Sequence, residues 1–325
     1  MSLSPPRFWS APAGRSHPLA LALAPLGAAY GRIGARRIAR AKPSRASVPV
    51  VCVGNATVGG VGKTPFCRLV ADVLKGEGHA PHIVTRGYGG RLRGPVRVLP
   101  THRACEVGDE ARLLASTLPV WVAADRPAGA AAAAEDGAGV VVLDDGFQNP
   151  SLSKDLSFLL VDGQAMFGNG RLFPAGPLRE RPEDAARRAD VLVAVGGEPA
   201  DLHALARDKP LLTATLVPDF SPLDAERPVL AFAGIGRPER FFGALAEARD
   251  LVGAHDFPDH HPYTEADAFR LLREADEAGA QLATTEKDAM RLPPSLAARA
   301  IVVPARMVTQ DLDRLRELLR SAVAR

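Results

Sequence analysis

The chain has 325 residues, of which 46% are hydrophobic, 24% charged and 5% aromatic, a balance that supports one large or two ordinary globular domains and excludes disorder. The net charge of +3 is unevenly spread: residues 1–47 hold eight Lys or Arg and no acid, so the remainder is net −5. Cys52, Cys67 and Cys105 are odd in number and lack metal-ligand spacing, which excludes a disulfide framework and fits a reducing compartment.

Residues 18–30, PLALALAPLGAAY, form an apolar run that leads directly into Arg32, Arg36, Arg37 and Arg40. The run is short for a spanning helix, which needs roughly 17–25 residues, and Pro25 weakens it further. A signal peptide carries its basic residues before the apolar core, not after it. A buried core helix is one alternative. A membrane-surface or shallowly inserted anchor over residues 1–47 fits better, with each arginine near anionic headgroups adding on the order of 1 kcal/mol. Nucleic acid is the other partner of a basic arm, and the adjoining apolar run argues against it.

A strand predicted over 48–53 is followed by Val58-Gly59-Gly60-Val61-Gly62-Lys63-Thr64 and a helix predicted over 65–75. Small residues let backbone N–H groups turn inward around phosphate oxygens, and the following helix aims its positive end at them. Thr57 stands where the usual pattern has its first glycine, but strand, glycines and helix come in the right order. Thr57, Gly59, Gly60, Val61, Gly62, Lys63 and Thr64 are thus candidate phosphate-binding residues. Lys63 would reach the β/γ-phosphates, and Thr64 would ligate Mg²⁺.

Further strands are predicted over 82–85, 120–123, 140–143, 158–161 and 191–195, with helices over 109–116 and 126–135 among those between them. Their unbroken Val/Leu character suggests burial on both faces, hence an α/β fold with a parallel sheet. The first of these strands runs into Thr85-Arg86-Gly87-Tyr88-Gly89-Gly90, a loop at a sheet edge where substrates of such folds bind. In Gly108-Asp109-Glu110, Asp109 reads most simply as a helix N-cap. Asp144 and Asp145 follow the 140–143 strand, where one carboxylate of a phosphate-loop site holds Mg²⁺. Arg179 and Glu180 end a Gly- and Pro-rich stretch, residues 168–180.

The core is expected over 48–205 and a linker with some strand content over 206–228. A second, smaller α/β domain is expected over 229–325. The latter opens with an apolar run into Gly234-Ile235-Gly236, a weak nucleotide signal that a tight turn explains equally well. His255, His260 and His261 cluster with Asp256 and Asp259, but without recognisable metal-ligand spacing elsewhere. Helices are predicted over 241–248, 265–278 and 311–324, and a strand over 281–284.

Together these segments resemble the lipid A 4′-kinase (tetraacyldisaccharide 4′-kinase) family. The residues that carry the resemblance are GNATVGGVGKTP at 54–65, TRGYGG at 85–90, GDE at 108–110 and LDDGFQ at 143–148. GNGRLFPAGPLRE at 168–180, FPDHH at 257–261 and TTEKDA at 284–289 complete the ordered set. The resemblance implies a peripheral enzyme on the cytoplasmic face of a bacterial inner membrane. Such an enzyme uses ATP and Mg²⁺ to phosphorylate the 4′-hydroxyl of a tetraacylated glucosamine disaccharide 1-phosphate. It makes Asp109 the expected general base, assisted by His260. It also sets Lys63 and Thr64 on phosphate and Mg²⁺, with Asp144 or Asp145, and Glu180, on the metal side. Arg86, Tyr88, Arg126 and Arg179 are expected around nucleotide and acceptor. The chain departs from the family in having Asn149 where His is usual and Ala111 where Pro is usual. Asn149 cannot titrate near neutral pH.

A partner-activated, membrane-associated phosphate-loop ATPase is the rival reading; its marker is a Lys at the position of Val58, which counts against it.

Overall fold

The computed structural model describes residues 6–11 and 17–324, so Arg15 lies outside the described residues. In chain order the elements are α1 (Pro18–Arg40), β1 (Val50–Asn55), α2 (Lys63–Gly76), β2 (Pro81–Thr85), β3 (Val96–Arg97), α3 (Ala104–Val107), α4 (Asp109–Leu114), β4 (Val120–Val122) and α5 (Arg126–Glu135). Next come β5 (Val140–Asp144), β6 (Leu156–Asp162), α6 (Pro182–Arg188), β7 (Val191–Val195), α7 (Ala200–Ala206) and β8 (Leu211–Pro218). The last third holds β9 (Val229–Ala233), α8 (Pro238–Ala248), β10 (Leu251–Asp256), α9 (Glu265–Glu277), β11 (Gln281–Thr285), α10 (Glu286–Ala289), α11 (Pro294–Ala297), β12 (Ala300–Val303), β13 (Ala305–Val308) and α12 (Leu312–Val323).

Nine strands form the large sheet in the order β13-β8-β7-β6-β1-β5-β2-β4-β3. All pairs are parallel except the two edges, β3 on β4 and β13 on β8. Alternate residues of β1 serve opposite faces: Val51 and Val53 pack with Phe66 and Val70 of α2, while Val50 and Cys52 pack with Ala130 of α5 and Ala185 of α6. Burial on both faces is what the unbroken apolar strands require. Phe66 and Phe158 meet edge to face at 5.4 Å, and truncating either to Ala removes about 3–5 kcal/mol of stability.

The second sheet, β10-β9-β11-β12, is wholly parallel. Val229, Ala231 and Ala233 of β9 face Phe241 and Leu245 of α8, and Leu230 and Phe232 face Leu271 of α9. Both sheets match the expected α/β class.

The division into core, linker and second domain lies differently from the sequence expectation. The 206–228 stretch contains β8, which pairs with β7 in the large sheet and turns Leu212 and Ala214 into its core. After β12 the chain returns: β13 forms the sheet edge, and Leu315 and Leu319 of α12 join the cluster around Phe66. The apolar stripe of the last helix thus covers the large sheet, not the small one. The second unit is an insertion between β8 and β13.

α1 is one continuous helix that passes through Pro25. Only Ala20 and Gly27 are buried; Leu19, Leu21, Leu26, Tyr30 and Ile33 are exposed. Among the described residues, no helix is long and apolar enough to cross a membrane.

Candidate active site

The phosphate side is built at the carboxyl end of β1. Gly62 has φ +85°, a left-handed conformation that lets the loop turn into the first helical residue, Lys63. The Lys63 ammonium donates to Asn55 Oδ1 at 3.2 Å and lies 3.8 Å from Asp145. Asn55 in turn donates to Thr57 Oγ1 at 3.1 Å, so a hydroxyl at Thr57 has work that a glycine could not do. Val58 N–H donates to the Pro177 carbonyl and Arg179 N–H to the Ala56 carbonyl, which ties the 168–180 stretch to the loop. Val61 is buried beneath it. The Gly234–Gly236 turn of the second sheet comes against this loop: an atom at the Cβ position of Gly236 would stand 3.6 Å from Gly60 N.

The two adjacent aspartates differ because the strand ends between them. Asp144 is the last residue of β5, 1% exposed, and its Oδ1 accepts from the Cys67 thiol at 3.6 Å. Burial pushes its carboxyl up to about 7, with Glu110 and Asp145 adding to the effect. Asp145 has already turned, at φ +53°, and pairs with Arg179 at 2.7 Å. Burial opposes ionisation there too, but Lys63 and Arg179 outweigh it and hold the carboxyl below its ordinary value. Asp144 is therefore the carboxylate short of positive charge. Thr64 precedes Cys67 by three residues on α2, the same helical face. A hydroxyl and an under-compensated carboxylate are hard oxygen donors that suit Mg²⁺. Among the described residues no three His, Cys, Asp or Glu converge as a metal-binding group, and a phosphate-bound Mg²⁺ does not require one.

The acceptor side spans both units. Asp109 does not cap its helix: Gly108 holds the cap position, at φ +93°, and an atom at its Cβ position would come within 2.5 Å of the Tyr88 carbonyl. This close approach packs the 85–90 loop onto the start of α4. Asp109 is 4% exposed, and its Oδ2 lies 2.9 Å from His260 Nδ1 and 3.5 Å from Arg291 Nε. Burial raises its carboxyl, but the His260 hydrogen bond, Lys287 and Arg291 prevail and hold it below the ordinary value. The Tyr88 ring sits 5.3 Å from the His260 ring. The other two histidines go elsewhere, His255 to Glu274 and His261 to Asp267, so the cluster seen in sequence divides among three carboxylates.

Arg126 is buried at the start of α5, donates to the Ala123 carbonyl and lies within electrostatic reach of Asp144 and Asp145. Arg86 is exposed on the neighbouring loop. Glu180, expected on the metal side, is held by Arg188 at 2.6 Å and Gln148 at 2.9 Å. Gln148 also accepts from Arg179 at 3.3 Å, so Glu180 tethers Arg179 through Gln148. Asn149 accepts from Ser151 N and Oγ, a turn-forming place with no proton to move. α1 packs on Leu172 through Gly27 and Gly31, and beside this contact lies a cavity of about 1560 Å³ lined by both segments, Arg32, Arg171 and Arg187 among them. Sequence reasoning gave no role to Lys287 and did not single out Arg291; the TTEKDA run was the one signal available.

A glycine-rich strand–loop–helix at the centre of a largely parallel sheet, with Lys63 facing Asp145 just past the end of the neighbouring strand, makes this a phosphate-loop nucleotide-binding protein. More particularly, the chain belongs to the tetraacyldisaccharide 4′-kinase (LpxK) family. The family model described as tetraacyldisaccharide-1-P 4′-kinase matches residues 19–324. The tetraacyldisaccharide 4′-kinase of Parvibaculum lavamentivorans is 49% identical over 335 residues, covering 98% of each chain. That of Methylobacterium radiotolerans is 49% identical over 327 residues, covering 99% of each. A solved structure of LpxK from Aquifex aeolicus in complex with ATP superposes with a TM-score of 0.75 at 28% identity, covering 94% of this chain and 99% of that one.

Proposed function

We propose that the chain transfers the γ-phosphoryl group of ATP to the 4′-hydroxyl of a tetraacylated glucosamine disaccharide 1-phosphate. The observation that carries this reading is the 2.9 Å contact between Asp109 of the core and His260 of the second unit, in a family of that activity. Phosphoryl transfer demands positioning and charge neutralisation more than covalent chemistry. The amides of Gly59 to Thr64, with Lys63, cradle the phosphates. Mg²⁺, held by Thr64 and Asp144, would neutralise charge on the phosphate oxygens. Asp145 keeps Lys63 and Arg179 in place, and Glu180 supports Arg179 through Gln148. Asp109 accepts the hydroxyl proton as the oxygen–phosphorus bond forms and the bond to ADP breaks; His260 orients that carboxylate. Arg86, Tyr88 and Arg126 line the approach of nucleotide and acceptor.

The exposed apolar half of α1 and its arginine-rich second half suit the cytoplasmic face of a bacterial inner membrane. Arg32, Arg36, Arg37 and Arg40 meet anionic headgroups there, and the cavity beside α1 receives the acylated acceptor.

Incubation with γ-labelled ATP, Mg²⁺ and the tetraacyl disaccharide 1-phosphate, beside Lys63→Ala, tests the reading. Labelled bisphosphorylated lipid, absent with the variant, is the expected result. Phosphate release with no labelled lipid would replace it with the partner-activated ATPase.

A further inference from the structure

The TTEKDA run has no part in the chemistry above, yet it meets the acceptor side from the second unit, beside the His260 segment. Thr285 ends β11 and caps α10: its Oγ1 donates to Asp288 Oδ2 at 2.6 Å. Asp288 is fully buried and accepts from Gly234 N, Tyr263 Oη and Arg291, which fixes α10 against the β9 turn. Lys287, between these anchors, projects toward the core. Its Nζ lies 3.2 Å from His260 Nε2, 3.2 Å from Glu110 Oε1 and 3.2 Å from Asp259 Oδ1.

We infer that Lys287 is a positioning residue that donates to His260 Nε2 and thereby holds the imidazole as the Nδ1–H tautomer facing Asp109. An ammonium has three donors and no acceptor. Nε2 must then present its lone pair, and the single ring proton sits on Nδ1, 2.9 Å from Asp109 Oδ2. The groups facing His260 are Asp109 and Glu110 from α4, Tyr88 from the 85–90 loop, Asp259 beside it, and Lys287 from α10, with Arg291 on the same Asp109 oxygen. Burial works against the ammonium, but Glu110, Asp259 and Asp109 keep Lys287 protonated above its ordinary range.

This has a mechanistic consequence, which rests on Asp109 being the base. With Nδ1 already protonated, His260 donates to the carboxylate and does not relay the proton onward. The proton from the acceptor hydroxyl stays on Asp109 until product leaves. Without Lys287, Nε2 is free to hold the ring proton, and an Nδ1 lone pair turned toward Asp109 would no longer orient the base.

The test compares Lys287→Met and Lys287→Arg in the full chain, reading kcat against pH and the ¹⁵N signals of the His260 ring. Lys287→Met is expected to lower kcat about tenfold near neutral pH, with the KM for ATP within about twofold of wild type. Its acid limb should move to higher pH, and the ring should lose its pure Nδ1–H signature. Lys287→Arg should keep the limb in place, and in a His260→Asn background Lys287→Met should move it less, by the loss of its direct pull on Asp109 alone. An unmoved acid limb together with an unchanged Nδ1–H signature in Lys287→Met overturns the inference. Asp109→Asn, measured alongside, separates the two readings: if it turns over as fast as wild type, the base assignment fails. The ring signals still decide what Lys287 does to His260.

Discussion

The two sides of the active site are built in opposite ways. On the phosphate side Asn55, Thr57, Lys63, Asp145 and Arg179 all belong to the large-sheet unit, and Lys63 is fixed by a neighbour eight residues away. On the acceptor side, Asp109 meets His260 across 151 positions of sequence and a boundary between two sheets. The phosphate side draws these side-chain contacts from one unit. The base, by contrast, is oriented only where the two units touch. Nucleotide affinity and turnover should therefore respond separately to mutation, and that separation can be tested.

The largest effect should come from the acceptor side. Asp109→Ala is expected to reduce kcat by about 10²–10⁴-fold with ATP affinity retained, measured by labelled-lipid formation and by calorimetric titration of ATP. An unchanged rate would remove the acceptor side from the chemistry. Lys63→Ala should cost about 10²–10³-fold in kcat and weaken ATP binding as well, so one substitution affects both readouts where the other affects one. If Lys63→Ala left ATP affinity intact, the contrast between the two sides would collapse.

A smaller effect tests the seam between the units. Asp162, 2% exposed at the end of β6, pairs with Arg237 at 2.5 Å and Arg240 at 2.9 Å from the second unit. Asp162→Asn should cost about 2 kcal/mol in denaturant unfolding. Burial raises this carboxyl, but the Ala165 amide and the two guanidiniums hold it below its ordinary value. Its contribution is thus present above the unfolded pKa of about 4 and is lost as the pH falls through the depressed value. Melting temperatures of variant and wild type should converge in acid; a gap that widened there would contradict the pairing. Least affected should be Asn149→His, with kcat within about twofold of wild type, because Asn149 serves a turn.

How much was legible followed from how local each feature is. The phosphate loop, its strand and its helix are consecutive, so residues 54–65 announced them directly. The choice between Asp144 and Asp145 was not legible, because it depends on β5 ending at Asp144 and on the turn at Asp145. Asp109 resembled a helix cap because nothing within a few residues reveals His260, and family resemblance supplied what spacing could not. β13 escaped notice because it is four residues long and buries only Met307 deeply. Lys287 stood in a recognised motif, but its meaning lies in three contacts from other segments.

That late strand bears on how the protein is made. Met307 packs under the phosphate loop, its Cε 2.8 Å from the position a Cβ would occupy at Gly62. Leu315 and Leu319 then seal the face of the sheet against which α2 lies. During synthesis the nucleotide loop, complete in sequence by residue 64, lacks its floor until residues near 307 have cleared the ribosome. The whole insertion must be made in between. ATP can therefore act as a ligand for folding only once β13 has been made, and a message truncated anywhere within the second unit yields a chain with the phosphate loop but without Met307 beneath it.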